Sequence, residues 1–225
     1  MLDLGVVVHN FRFLIVQGFF GLGTFAGGTL RLAVPAIVLG FALGIFIGLA
    51  RLSRAAWIRV PATLYVELFR GVPLVMVIFW IWFIIPQLLQ RPIPEYGVAL
   101  TAFVIFEAAY FGEIVRAGVQ SVPRGQVEAA TALGLRRGPT MRFVVLPQAL
   151  RNMVPSLVTQ MIVLFKDTSL ASIIGYVDLT KAAQIVNNRE IRPFELYLFI
   201  AVVYWACAYA MSRLARRLEH RPAHA

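Results

Sequence analysis

The sequence has few charged residues for its length. Only 14% of its 225 residues are charged and 60% are hydrophobic, whereas a soluble domain carries about 25% charged residues. A water-soluble fold of this size needs polar side chains to cover its core. The composition therefore excludes an ordinary soluble domain and predicts an integral membrane protein.

Cysteine and histidine are also scarce, and their positions argue against catalysis. Cys207 is the single cysteine, and the three histidines lie near the termini, at His9, His220 and His224. No histidine falls in an apolar run to activate Ser169 or Cys207, and no metal-ligand cluster occurs. The nucleotide-binding pattern G-x-x-x-x-G-K-[ST] is missing too. We expect no catalytic residue, no metal site and no cofactor in this chain.

Five apolar runs approach the roughly 20 residues that a spanning helix needs. We predict spans over residues 32–50, 71–90, 96–112, 151–174 and 196–212. The helix of the second span is expected to begin earlier, near Pro61. The fourth run is interrupted at Lys166 and Asp167 and is expected to continue to Ile174. The sequence thus predicts an all-α integral membrane fold with five transmembrane helices.

Arginine placement predicts the orientation of these helices. The connections at 51–59 and 116–142 and the tail at 213–221 are rich in arginine, whereas the connection at 91–95 has one. Basic connections face the cytoplasm, so the N-terminus is expected outside and the C-terminus inside. The net charge of +10 follows this topology, so we predict no nucleic-acid partner. The region at 181–192 is moderately basic although it is assigned outside.

The chain divides into three segments by this pattern. Residues 1–25 are expected to be an external or interfacial segment, 26–215 the membrane-spanning domain, and 216–225 a basic cytoplasmic tail. In the first span Gly40, Gly44 and Gly48 form a stripe on which another helix packs closely. A packing seam within the chain and a subunit interface both remain open for this stripe.

The connection between the third and fourth spans has a pattern of its own. Glu128, Ala129 and Ala130 are followed by Gly134 and then by Leu146 and Pro147. Val127, Ala130, Thr131 and Leu135 share one helical face. Gly134 suits a left-handed cap, Pro139 a first helical turn, and Pro147 a break or a bend. We predict two short helices that form an exposed, amphipathic cytoplasmic projection.

The spacing E-A-A-x3-G-x9-(I/V)-x-L-P resembles the signature of bacterial ABC importer permeases. The resemblance implies a type I permease with a cytoplasmic coupling helix that seats in a cleft of an ATPase. It further implies two ATPase subunits that hold ATP and Mg, a second permease subunit, identical or related, and an external amino-acid-binding protein. The coupling residues would be Glu128, Ala129, Ala130, Gly134, Leu146 and Pro147.

The flanking segments are similar to the polar amino-acid permeases, which serve histidine, glutamate, glutamine, arginine and opines. Residues 69–76, 106–110 and 159–170 are similar to the second permease of glutamate/aspartate importers. Thr159 stands where many relatives of other specificity have asparagine. The resemblance covers about residues 26–215 and favours glutamate or aspartate. Glutamine and basic amino acids remain the alternatives within the same machinery.

Charged residues in apolar runs are costly, about 2.5–3.5 kcal/mol each by insertion scales, so each needs a role. Glu67 with Arg70 and Glu113 with Arg116 are three apart, and we predict local ion pairs. Glu107 lies within a span and must face protein or a watery cavity. The candidate substrate path comprises Arg70, Glu113, Arg116, Lys166, Asp167, Thr168 and Ser169. We hypothesise that Lys166 or Arg116 meets a substrate carboxylate.

A secondary transporter or a channel is the rival function of a different class. Secondary transporters often contain internal repeats and more spans. Five spans with no visible repeat do not easily form a complete path alone. The sequence therefore favours an ATP-driven importer in the bacterial inner membrane.

Overall fold

The computed structural model describes residues 5–22 and 27–219 of the protein, and the described part is helical. Two π-helical segments, Arg12–Phe19 and Met141–Val145, and one 3-10 helix, Thr168–Ile174, accompany the α-helices. The α-helices are α1 (Gly5–Phe11), α2 (Thr29–Arg51), α3 (Ala56–Gly71), α4 (Leu74–Leu89), α5 (Glu95–Gln120), α6 (Arg124–Ala132), α7 (Arg137–Thr140), α8 (Leu146–Asp167), α9 (Leu179–Glu190) and α10 (Pro193–Glu219).

Four helical stretches in the described part are long and apolar enough to cross a membrane. They are Thr29–Arg51, Glu95–Gln120, Arg137–Ile174 and Pro193–Arg216. The helices α3 and α4 meet the same criterion together, although they are bent by 105°. The predicted five spans agree with this count when the bent pair is taken as one span.

The bend between α3 and α4 corrects the prediction of one helix starting near Pro61. The break lies at Val72, whose backbone is extended with φ −115° and ψ 150°, and Pro73 precedes α4. A residue before proline is pushed out of the helical region because the proline ring clashes with it. Pro61 and Pro86, in contrast, are accommodated inside α3 and α4.

The fourth span is a longer helix than its apolar run. Pro147 lies near the start of α8, and the helix neither ends nor breaks there because the π-helical segment Met141–Val145 leads directly into it. The helix then tightens into the 3-10 segment, which ends at Gly175 with φ +90°. The predicted continuation to Ile174 is confirmed.

The glycine stripe of α2 packs against α5 of the same chain. A Cβ atom on Gly44 would lie 2.5 Å from the Cβ of Phe111, and one on Gly48 would lie 2.6 Å from the carbonyl oxygen of Gly112. Real Cβ atoms do not approach this closely, so only glycine allows the two backbones to meet here. The packing seam, rather than a subunit interface, is therefore the role of the stripe.

The N-terminal helices pack on the end of the bundle that holds α9 and α10. The ring of Phe11 lies edge-on to Phe199, with centroids 6.3 Å apart. Gly18 approaches Ala182 so closely that an added Cβ would lie 2.7 Å from the Cβ of that alanine. Residues 5–22 are thus docked on the helical body.

A buried carboxylate, Asp178, joins α9 to α10 and was not singled out by the sequence. It is fully buried and caps α9, since its oxygens accept bonds from the backbone N–H groups of Thr180 and Lys181 at 3.1 and 2.8 Å. The hydroxyl of Tyr204 donates to it at 3.1 Å. Burial raises the pKa of Asp178 from 3.8 to about 6, although these hydrogen bonds oppose the rise.

This pKa predicts a pH dependence of stability. Because the folded protein holds the Asp178 proton more tightly than the unfolded chain, the contribution of this group is fully present below about pH 4 and is lost as the pH rises through 6. Asp178→Asn keeps a capping side chain but does not titrate. We expect the stability of the wild type relative to this variant to fall by up to about 3 kcal/mol over that range. Thermal unfolding in detergent at several pH values measures the stability difference between the two proteins. A difference that does not change with pH would contradict the prediction.

Candidate functional site

The predicted projection between the third and fourth spans is formed by α6 and α7. The first helix, α6, ends at Ala132, and Gly134 two residues later has φ +80°. The backbone N–H of Leu135 donates to the carbonyl oxygen of Ala130 at 3.0 Å, and that of Gly134 donates to Thr131 at 2.9 Å. This is the left-handed cap that the sequence predicts. Pro139 lies in the first turn of α7, as expected.

The apolar face of α6 borders a cavity. Ala130 is buried, whereas Val127, Thr131 and Leu135 are exposed, as the prediction of an exposed face expects, and they line that cavity. Val119 and Val122 at the end of α5 and Met141 and Val145 before α8 form its other aliphatic walls. The side chain that protrudes from the projection is Leu133, which is 83% exposed. Glu128 and Ala129 are exposed as well, whereas Leu146 and Pro147 belong to the start of α8.

A second cavity, of about 370 Å³, lies between α3, α5 and α8. It combines hydroxyl, amide and charged groups with aliphatic ones. The lining residues are Arg70, Tyr110, Glu113, Ile114, Pro155, Ser156, Thr159 and Gln160. A smaller cavity of about 240 Å³ adjoins it and shares Glu113, Ile114 and Ser156. Together the two follow the α5–α8 groove toward the end of α5 that carries α6.

The carboxylate in this cavity is already paired. Glu113 Oε1 lies 2.5 Å from Nη2 of Arg116, which confirms the predicted pair, and Glu113 also contacts Arg51 at the end of α2. Arg116 further bonds to Gln120. Burial is partial, so two arginines neutralise one carboxylate without a large desolvation cost. Arg116 is thereby engaged within the chain rather than held free for a substrate.

Arg70 is the cation of the cavity that has no carboxylate partner among the described residues. The predicted pair with Glu67 is wrong: both side chains are exposed, and the guanidinium of Arg70 lies over the ring of Tyr110, 5.5 Å from its centroid. An arginine that stacks on an aromatic face keeps its N–H donors directed sideways. Those donors are available to an anionic group.

Glu107 lies behind the cavity and is fully buried. Its Oε2 accepts a bond of 2.9 Å from Nε2 of Gln160, whereas Oε1 has no partner in the described structure. Its placement inside protein is as predicted. Because Gln160 also lines the cavity, the amide connects the buried carboxylate to the space beside Arg70.

The remaining predicted path residues lie beyond this cavity, at the end of α8. Lys166 is exposed and Asp167 half-buried, while Thr168 is buried and bonds to the carbonyl oxygen of Phe165 at 2.7 Å. Asp167 lies close enough to Glu107 for their charges to interact. The structure thus groups Arg70 and Glu113 in one cavity and sets Lys166, Asp167, Thr168 and Ser169 apart from it. Their role in the path stays a prediction.

Tyr110, Ser156 and Gln160 line the cavity but are not among the residues predicted from the sequence. The spacing held a usable signal, since Tyr110 and Glu113 are three apart on α5, and Ser156 and Gln160 are four apart on α8. Polar residues at this spacing share a helix face. Two such faces on successive apolar helices predict a polar groove between them.

The comparisons with known proteins agree with this geometry. The family described as "Binding-protein-dependent transport system inner membrane component" matches residues 40–224. The chain belongs to this family. The permease is 41% identical over 202 residues to the glutamate/aspartate import permease protein GltK of Escherichia coli O6:H1, with 87% of this chain and 90% of GltK covered. It is 39% identical over 196 residues to the probable glutamine permease GlnP of Bacillus subtilis, with 86% and 89% covered.

A solved structure extends the likeness to the fold. The permease superposes on a chain of an amino acid ABC transporter crystallised with histidines, with a TM-score of 0.90 and 33% identity. The match covers 99% of this permease and all of that chain. The resemblance to ABC importer permeases and the type I permease fold are thereby confirmed. As a member of this family the chain is a transporter component of the inner membrane rather than an enzyme.

Proposed function

We propose that this permease is the membrane subunit of an ATP-driven importer of acidic amino acids. The observation that carries the proposal is the charge of the cavity between α3, α5 and α8. Its carboxylate, Glu113, is neutralised by Arg51 and Arg116, whereas Arg70 has no acidic partner in the described part of the chain. The wall of the cavity is therefore cationic and favours a ligand with net negative charge.

The cavity has the groups that an acidic amino acid requires. Glutamate and aspartate have two carboxylates and one ammonium. Arg70 would meet one carboxylate through charge-assisted hydrogen bonds. The hydroxyls of Ser156 and Thr159 and the amide of Gln160, all on α8, would hold the remaining polar atoms of the ligand.

One relative supports an acidic substrate, and two others support the alternatives. The glutamate/aspartate permease GltK supports an acidic substrate, the glutamine permease GlnP supports a neutral one, and the transporter crystallised with histidines supports a basic one. Glutamine and histidine each have one carboxylate that Arg70 could bind, but only an acidic amino acid has the net negative charge that matches the cationic wall. The cavity therefore favours the acidic substrate.

Uptake by the complete importer tests this proposal. We expect unlabelled glutamate and aspartate to compete with labelled glutamate far better than glutamine or arginine does. In Arg70→Gln we expect the KM for glutamate to rise about tenfold, since a charge-assisted hydrogen bond contributes about 1.5–3 kcal/mol. The measurement is initial uptake into proteoliposomes with the cognate binding protein.

The matched control is Arg91→Gln, which removes an arginine that does not line the cavity. It should leave the KM unchanged. Equal competition by glutamine or arginine would contradict the acidic substrate. An Arg70→Gln variant with wild-type KM and specificity would mean that selection lies with the binding protein, and the cationic wall would have no part in it.

The coupling proposal concerns α6 and α7. We place this projection in the cytoplasm, with the N-terminus outside and the C-terminus inside, because the arginine-rich connections lie at that end. Two ATPase subunits, which hold ATP and Mg, would each receive one projection, with Leu133 as the apolar contact and Glu128 and Ala129 beside it. A second permease, identical or related, would close the open side of the substrate groove. ATP would then bias a two-state arrangement that the loaded binding protein also influences.

A further inference from the structure

A cavity of about 790 Å³ lies between the end of α5 and the helices α6 and α7. Its walls are mainly aliphatic. They include Val119 and Val122 from α5, Val127 and Leu135 from the first helix of the projection, and Met141 and Val145 from the segment leading into α8. A space of this size equals an ordinary small-molecule pocket.

The rim of this cavity is basic. Arg54, from the connection between α2 and α3, and Arg136 and Arg137, from the start of α7, all border it. No carboxylate lines the cavity among the described residues, and none of the three arginines forms an ion pair there. Three arginines without carboxylate partners around an aliphatic interior are complementary to a ligand with an anionic head and an apolar body.

The mouth of the cavity lies just beyond the end of a helix that is long and apolar enough to span a membrane. Arg54 follows α2, a spanning helix, by three residues, and Trp57 at the start of α3 is 79% exposed. Exposed tryptophans beside arginines mark the interface between lipid headgroups and acyl chains. A lipid at this level would have its phosphate near Arg54 and an acyl chain directed toward the valines.

We propose that this cavity binds an anionic phospholipid, with its phosphate held by Arg54, Arg136 and Arg137 and part of an acyl chain against the aliphatic walls. The inference rests on the cytoplasmic placement of α6 and α7 in the proposed function. Basic pockets at the cytoplasmic ends of spanning helices attract anionic headgroups. The lipid would tie α7 to the connection before α3 and so link the projection to the membrane.

An ATPase segment is a poorer occupant for the same cavity. Leu133 protrudes most from the projection, at 83% exposed, whereas Val127 and Leu135, at 38% and 36%, line the cavity. A partner that seats on Leu133 therefore leaves the cavity uncovered. A lipid reaches it from the bilayer side, through the mouth at Arg54.

Native mass spectrometry of the complete transporter tests the site. Dioleoylphosphatidylglycerol and dioleoylphosphatidylcholine have the same acyl chains and differ in charge, and we expect preferential retention of the former. Arg54→Gln/Arg136→Gln should weaken that retention about 30-fold, since each arginine near a lipid surface contributes about 1 kcal/mol. Arg91→Gln/Arg189→Gln makes the same charge change at two exposed positions away from the cavity and should retain the lipid.

A second variant tests the aliphatic part without changing charge. Thr131→Phe places a ring in the cavity and should displace the lipid while all three arginines remain. Equal loss of the lipid in both double variants would overturn the proposal, as would lipid retention in Thr131→Phe.

Displacement of the lipid by inorganic phosphate would show a soluble-anion site, and displacement on adding the ATPase would show an ATPase site. Both outcomes contradict the proposal. Lipid retention is measured only on complexes that still hydrolyse ATP. Loss of the lipid is therefore distinguished from failure of the proposed importer function.

Discussion

Replacement of Gly44 and Gly48 by alanine is expected to destabilise the permease by about 4 kcal/mol. Each added Cβ would lie within 2.5–2.6 Å of atoms of Phe111 or Gly112 on α5. Neither of those atoms is the end of a flexible side chain, so the two helices must separate. Overpacking of this kind costs about 1–3 kcal/mol per site. Thermal unfolding of Gly44→Ala/Gly48→Ala in detergent measures the loss.

The matched control is Gly71→Ala/Gly125→Ala. Both glycines lie in helices, and an added Cβ would meet nothing within 4 Å at either. Alanine favours helix over glycine by about 1 kcal/mol, so these changes should be neutral or stabilising. Equal unfolding temperatures for the two double variants would show that α2 and α5 do not pack through the glycine stripe.

Replacement of Leu133 by aspartate is expected to lower ATP-driven uptake about 100-fold. Leu133 is 83% exposed on the projection and is not part of the hydrophobic core. The substitution should therefore not unfold the helices. An uncompensated charge pressed into an apolar cleft costs about 3–5 kcal/mol, which is enough to release the ATPase. Copurification of the ATPase and initial uptake rates measure the effect.

Leu133→Met is the control for this change, because it keeps an apolar side chain of similar volume. It should retain both the ATPase and uptake. Wild-type copurification by Leu133→Asp would show that the ATPase docks elsewhere, and the role of the projection would then have to be reassigned.

The sequence predicts the spans well where apolar runs and glycine spacing determine the structure. Glycines every four residues predict a close helix contact on α2, although not that α5 is the partner, and the cap at Gly134 follows from the residue type alone. The bend at Val72 is not predicted, because a continuous apolar run does not show where a helix changes direction. It was predictable only from Pro73, whose effect on the preceding residue is local.

The site was predicted less completely because its groups come from separate helices. Glu113 and Arg116 are neighbours on one helix and were found, whereas Arg51 joins them from 62 residues away. Arg70 was paired with Glu67 by spacing, but packing of α3 on α5 placed it over Tyr110 instead.

ATP dependence of uptake tests the central claim most directly. Proteoliposomes containing this permease, its partner permease and the ATPase are loaded with ATP on the ATPase side, and labelled glutamate and the binding protein are added outside. We predict uptake that requires ATP, that persists when ion gradients are collapsed, and that is lost in Leu133→Asp. Uptake driven by an ion gradient through this chain without any ATPase would contradict the account.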